Sequence, residues 1–173
     1  AAPNSTKSSG SIINKVVAAM LIREDDLRGP EIAKLLGEHL EDMAKHSPPE
    51  SIHALDLEKL RAPEITFWTV WDGPALSGCG ALKQLDSRHG EIKSMRTAQE
   101  HRGKGIATFL LKHIMNVARK RSYQRLSLET GSMEAFAASR ALYSRAGFEI
   151  CPPFGAYRVD PYSVYMSQAL DIL

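Results

Sequence analysis

The sequence predicts a mixed α/β (α+β) domain with a mostly antiparallel central sheet flanked by helices. Three observations carry that expectation. Between residues 65 and 97, three runs rich in β-branched and aromatic residues follow one another with only tight turns between them. Apolar residues at helical spacing form stripes before and after this block. Strand signals then resume beyond the second stripe, so helices interrupt the sheet and do not form a separate bundle.

The elements follow in order. The opening AAPNSTKSSGS is small, polar and turn-rich, and reads as a tail or expression remnant over residues 1–19, ahead of one domain over 20–173. Residues 16–22 are apolar but far too short to span a membrane. Arg23-Glu24-Asp25-Asp26 follows where a signal peptide would have small residues, so the segment is read as a buried strand. Gly29-Pro30 opens a helix along which Ile32, Leu35, Leu36, Leu40 and Met43 recur, until His46-Ser47-Pro48-Pro49 ends it. A short helix is expected over 55–60, stopped before Pro63.

Residues 65–71 (ITFWTVW) are a strand, and Asp72-Gly73 is a hairpin turn. Residues 76–85 form the next strand, whose glycines imply a bulge or a close backbone approach. A turn over 86–90 leads to a third strand over 91–97. From Gly103 to Arg121, Ile106, Leu110, Ile114 and Val117 make a helical stripe, and Arg119-Lys120-Arg121 suits the negative end of a helix. A strand over 125–130, a helix over 133–146 ended by Gly147, and strands at 148–150 and 163–169 complete the chain.

Composition narrows the function. A 43% hydrophobic and 24% charged sequence is that of a globular domain. The net charge of +2 is too small for a nucleic-acid coat or a membrane-surface role. Cys79 and Cys151 form no CxxC pair, so neither a disulfide framework nor a zinc site is expected, and a reducing, cytoplasmic setting fits.

The stretch MRTAQEHRGKGIATFLL (95–111) carries the chemistry. Gly103 and Gly105 are bare backbone beside Arg102 and Lys104, directly ahead of a helix. Such a loop either makes a turn or holds an anion, since a helix start offers unpaired N–H groups and partial positive charge.

Arg102-Gly103-Lys104-Gly105-Ile106-Ala107 resembles the (Arg/Gln)-x-x-Gly-x-(Gly/Ala) motif of the GNAT superfamily of N-acetyltransferases. Downstream, Ala141-Leu142-Tyr143-Ser144-Arg145-Ala146-Gly147-Phe148 is similar to that family's second signature, a leucine–tyrosine pair shortly before Gly-Phe. The stretches SPPESIHALDLEKL, GCGALK, GEIKSMRT and LSLETGSM further resemble a bacterial branch of small acetyltransferases, the YsnE-like proteins. The resemblance implies acetyl-coenzyme A as co-substrate, no metal, and a strand over 91–97 that parts from its neighbour. Met95 and Thr97 would then offer backbone groups to the pantetheine arm. It further implies that Arg102, Gly103, Lys104, Gly105, Ile106, Ala107 and Thr108 hold the pyrophosphate, by N–H groups and charge.

Tyr143 falls on the tyrosine that serves many members as general acid toward the thiolate, and Glu91 sits where several relatives keep a carboxylate that takes the amine proton. Glu129, ending the next strand, is the reserve. Many relatives carry Asn seven residues before the tyrosine; here that position is Phe136, and Ser139 replaces part of the contact. The acceptor end is expected at residues 46–55 and 154–162, with Glu50, His53, Lys93, Arg96 and Tyr157 as recognition residues. The two basic candidates hint at an acceptor bearing a carboxylate.

The expected function is transfer of an acetyl group to a primary amine of a small or amino-acid-like metabolite by direct attack, in a monomer or homodimer. The alternatives are a protein N-terminal or lysine acetyltransferase and a non-catalytic acyl-coenzyme A sensor. A cysteine nucleophile is disfavoured because Cys79 lies in a strand between glycines. His39 and His46, near Glu38 and Asp42, read as solvated helix residues more readily than as metal ligands.

Overall fold

The structure, a computed structural model, describes residues 19–171. Its strands are β1 (Met20–Glu24), β2 (Ile65–Asp72), β3 (Ala75–Gln84), β4 (His89–Thr97), β5 (Arg125–Gly131), β6 (Glu149–Cys151) and β7 (Ser163–Ala169). The helices are α1 (Pro30–His46), α2 (Leu57–Leu60), α3 (Ile106–Lys120) and α4 (Ala137–Arg145). The strands form one sheet in the order β1-β2-β3-β4-β5-β7-β6, with every pair antiparallel except β4–β5. A parallel pair needs a long crossover, and α3 supplies it.

Each face of the sheet buries its own cluster. On one side Ile106, Leu110, Leu111 and Ile114 of α3 pack with Leu82, Ile92, Leu126 and Leu128. On the other, Ile32, Leu35 and Leu36 of α1 meet Leu60, Phe67, Cys79 and Ala81. Gly80 explains how closely α3 approaches. A Cβ there would lie 2.5 Å from Met95 Sδ and 3.1 Å from Leu110 Cδ2, so any side chain would lift the helix off the strands.

Three expectations need correction. β1 begins at Met20 and is a largely exposed edge strand, with Leu21 half exposed, and not a buried one; residues 16–18 of the expected strand lie outside the described residues. The short helix begins at Leu57, because the Asp56 side chain caps it by accepting from Lys59 N at 2.9 Å. The helix expected over 133–146 is split into a 3₁₀ turn (Glu134–Phe136) and α4. Arg140 Nη1 ties that turn down by donating to the carbonyls of Gly131 (2.7 Å) and Met133 (2.9 Å).

Two features of β4 open the site. The β4–β5 ladder ends at Ile92 opposite Leu128, although β4 runs on to Thr97 and β5 to Gly131. Ser94 adopts φ +55°, and the register with β3 shifts from Ala81–Lys93 to Cys79–Arg96. This bulge keeps Ile92 and Met95 on the α3 face while turning both Lys93 and Arg96 toward the α1 side.

Candidate active site

A cleft of about 780 Å³ lies where β4 and β5 part. Its walls come from the end of α1, the loop before α3, the start of α4, and Tyr157 of the loop between β6 and β7.

At one end, Gly103 and Gly105 adopt φ +76° and +81°, values that side-chain-bearing residues rarely take. Gly105 is the N-cap of α3, has no side-chain cap, and is followed by no acidic residue in the first turn. The first backbone bond of the helix runs from Phe109 N to Gly105 O at 3.0 Å, so the N–H groups of Ile106, Ala107 and Thr108 have no intrahelical acceptor. A Cβ at either glycine would face open space. Met95, Thr97, Arg102 and Ser139 border the same cleft. Lys104 is exposed and stands outside the wall. Phe136 borders it too, with its ring edge-on to His46 at 6.0 Å.

In the middle stand Tyr143, Glu129 and Glu91. Tyr143 is buried, and burial, reinforced by the nearby Glu129 charge, raises its pKa well above that of a free phenol. It therefore keeps its proton throughout the neutral range. Burial likewise pushes the Glu129 carboxyl up to about 7, with the nearby Ser163 hydroxyl and the Lys93 charge opposing and Glu91 and Asp160 adding to it. Glu91 is only 3% exposed. It accepts from Lys93 Nζ at 3.0 Å and from the Tyr157 hydroxyl at 2.5 Å, and Lys93 Nζ also lies 3.0 Å from that hydroxyl.

At the far end, Arg96 Nη1 is paired with Asp42 Oδ2 at 2.7 Å, and Asp42 also accepts from Lys45 at 3.1 Å. Those two hydrogen bonds hold the Asp42 carboxyl down to about 2. His39 lies beside them; burial, and then the Arg96 charge, lowers its pKa to about 4. It is therefore a neutral, half-buried residue of the cleft wall, where a solvated surface histidine was expected. His53 borders the cleft, packed edge-on against Tyr157 with ring centres 5.0 Å apart. Glu50 does not join them, because the turn Pro49–Ser51 leaves its side chain exposed and outside the wall.

The fold and these residues define an acyltransferase domain: residues 30–148 match the acetyltransferase (GNAT) family, and the chain belongs to that family of N-acetyltransferases. The chain is 58% identical over 151 residues to the uncharacterized N-acetyltransferase YsnE of Bacillus subtilis (strain 168), covering 87% of this chain and all of that protein. It is 50% identical over 149 residues to the uncharacterized N-acetyltransferase YedL of Escherichia coli (strain K12), covering 86% and 94%. Its fold is similar to that of a GNAT family acetyltransferase from Elizabethkingia anophelis with acetyl-CoA bound. There the TM-score is 0.62 at 18% identity, over 88% of this chain and 99% of that one. Among the described residues, no helix is long and apolar enough to cross a membrane.

Proposed function

We propose that the protein moves the acetyl group of acetyl-coenzyme A onto the primary amine of a small-molecule acceptor, by direct attack within one ternary complex. The observation that carries this reading is the shared cleft. An uncapped helix start, with open space at Gly103 and Gly105 and no acid in its first turn, opens onto the same space as Glu129 and Tyr143.

The residues fit the co-substrate. N–H groups of residues 106–108 suit a pyrophosphate, with Arg102 as the forked cation beside them. The stretch of β4 beyond Ile92 has no β5 partner, so its outward backbone groups suit the amides of a pantetheine arm. When bound, acetyl-coenzyme A supplies a thioester carbonyl for an amine to attack.

The chain's own groups handle the protons. Glu129 takes the proton that the attacking ammonium must lose, and Tyr143 gives one to the sulfur that departs. We assign the proton acceptor to Glu129 in preference to Glu91. A carboxyl titrating at about 7 is ionised in part at neutral pH yet remains basic enough to work, whereas Glu91 is already engaged by Lys93 and Tyr157. Direct attack is supported by Cys79, which is fully buried and whose thiol is pushed up to about 12 by burial.

Calorimetry with acetyl-coenzyme A, followed by thiol release with a panel of amines, tests the proposal. Binding with acceptor-dependent release is expected. Binding without release from any amine or peptide would identify a sensor, and no binding would remove the cleft from the argument.

A further inference from the structure

Of the two cations that β4 presents toward the acceptor, one is already spent. Lys93 is 8% exposed at its side chain and is locked to Glu91 and Tyr157, so its charge is cancelled inside the protein. Arg96 differs. Its side chain is 10% exposed, Asp42 engages Nη1, and its Nε–H is buried with no acceptor among the described residues. A guanidinium is a planar fork of five donors, and the edge formed by Nε and the other terminal nitrogen matches the two oxygens of a carboxylate. That edge is the one Asp42 does not hold.

The surrounding charges set the size of the complementary anion. His39 beside Arg96 is neutral at pH 7. Asp42 is shared between Arg96 and Lys45, so two cations face one anion and the group carries a net charge of +1. A singly charged carboxylate balances this, whereas a phosphate dianion exceeds it. Glu129 lies in the wall of the same cleft on β5, among Glu91 and the paired Lys93. The acceptor region is thus polarised, positive at α1 and negative at β5.

We propose that the acceptor is a small amine that also carries a carboxylate, clamped by the free edge of Arg96 so that its amine lies toward Glu129. This rests on the acetyl-transfer reading above and names the acceptor class for it.

The test uses α-amino acids, aromatic ones included, and straight-chain ω-amino acids of increasing length. Each is compared with its carboxamide and its decarboxylated amine, with thiol release from acetyl-coenzyme A as the readout. A charge-assisted bond of this kind is worth roughly 10- to 100-fold in kcat/KM, so wild type should prefer the best acid to its carboxamide by about that factor. Arg96→Gln should bring the ratio close to one, and Arg96→Lys should restore only part of it. Both variants should bind acetyl-coenzyme A within about twofold of wild type by calorimetry. The wild-type comparison stands even where a variant fails to fold.

Equal use of acid and carboxamide by wild type, or an undiminished preference in folded Arg96→Gln, would overturn the proposal. So would better turnover of a C-terminally blocked tripeptide than of every acid, which would point to a protein acceptor. Acetyl-coenzyme A binding with no acid turned over sinks this inference alone. Failure to bind acetyl-coenzyme A sinks the acetyl-transfer reading as well.

Discussion

Glu91 and Lys93, two residues apart on β4, close a 3.0 Å ion pair that is almost sealed from solvent, and the Tyr157 hydroxyl donates to the same carboxylate oxygen. Both charges act on Glu129, Lys93 favouring its ionisation and Glu91 opposing it. Asp160 and the Ser163 hydroxyl act on it as well, and Tyr143 stands beside it. The pair is therefore a tuning element for Glu129, the proposed proton acceptor.

Opposite pH shifts follow. Glu91→Gln leaves Lys93 uncancelled, so the acid limb of kcat/KM against pH should move down by about one unit. Lys93→Met leaves Glu91 uncancelled and should move the limb up, lowering activity at pH 7. If Glu91 were itself the base, Glu91→Gln would instead cause a loss that is deepest at neutral pH and recovers in alkali. The two pH–rate profiles separate these cases.

Glu129→Gln should abolish the limb near pH 7 and cost about a hundredfold or more in turnover at neutral pH. Much of the loss should return as the pH rises, since solvent then deprotonates the amine unaided. A mutant-to-wild-type ratio that stays constant from pH 6 to 10 would exclude Glu129 as the base.

The same residue makes a stability prediction. Its folded pKa of about 7 lies above the ordinary value of 4.5. Below pH 4.5 the carboxyl is neutral in both states and burial costs little; between 4.5 and 7 only the unfolded chain releases the proton. Stability of the ligand-free protein should fall as pH rises through this window, by up to about 3 kcal/mol, and then level off. Thermal melts of Glu129→Gln should lack that component.

Tyr143→Phe removes only a hydroxyl from a ring packed edge-on to Phe148 at 5.8 Å. Affinity for acetyl-coenzyme A should stay near normal while turnover drops toward a hundredfold, the low end for a positioned acid, because a thiolate leaves readily. Wild-type turnover at every pH would reduce Tyr143 to a packing role.

Gly105→Glu places a side chain at φ +81° and a negative charge at the uncapped start of α3. Acetyl-coenzyme A binding should vanish while the folded signature by circular dichroism persists. Unchanged affinity in calorimetry would exclude the loop.

The antiparallel meander β2–β4 beside the site was legible because its strands carry dense local signals. Residues 65–97 alternate strand and turn without a break, and Gly105 marks the start of α3 within a residue. Tyr143 and the glycine loop were legible for the same reason, since each sits in a contiguous motif. What escaped depends on distance. The Arg96–Asp42 pair joins residues 54 apart, and the depressed His39 pKa depends on burial that helical spacing alone does not disclose. Glu50 shows the converse error: a suitable residue type in a suitable segment was turned outward by one 3₁₀ turn. Glu129 ranked below Glu91 because sequence order says nothing of which carboxylate is already engaged.

The early end of the β4–β5 ladder has a mechanical meaning. The β4–β5 ladder, four residue pairs from His89–Arg125 to Ile92–Leu128, stitches the meander β1–β4 to the unit β5–β7–β6. Beyond them the sheet has a seam, with α3 as the strap that crosses over it. A cofactor arm lying in that seam would finish the stitching that the polypeptide leaves undone, so the loaded protein should resist shear between its two halves better than the empty one.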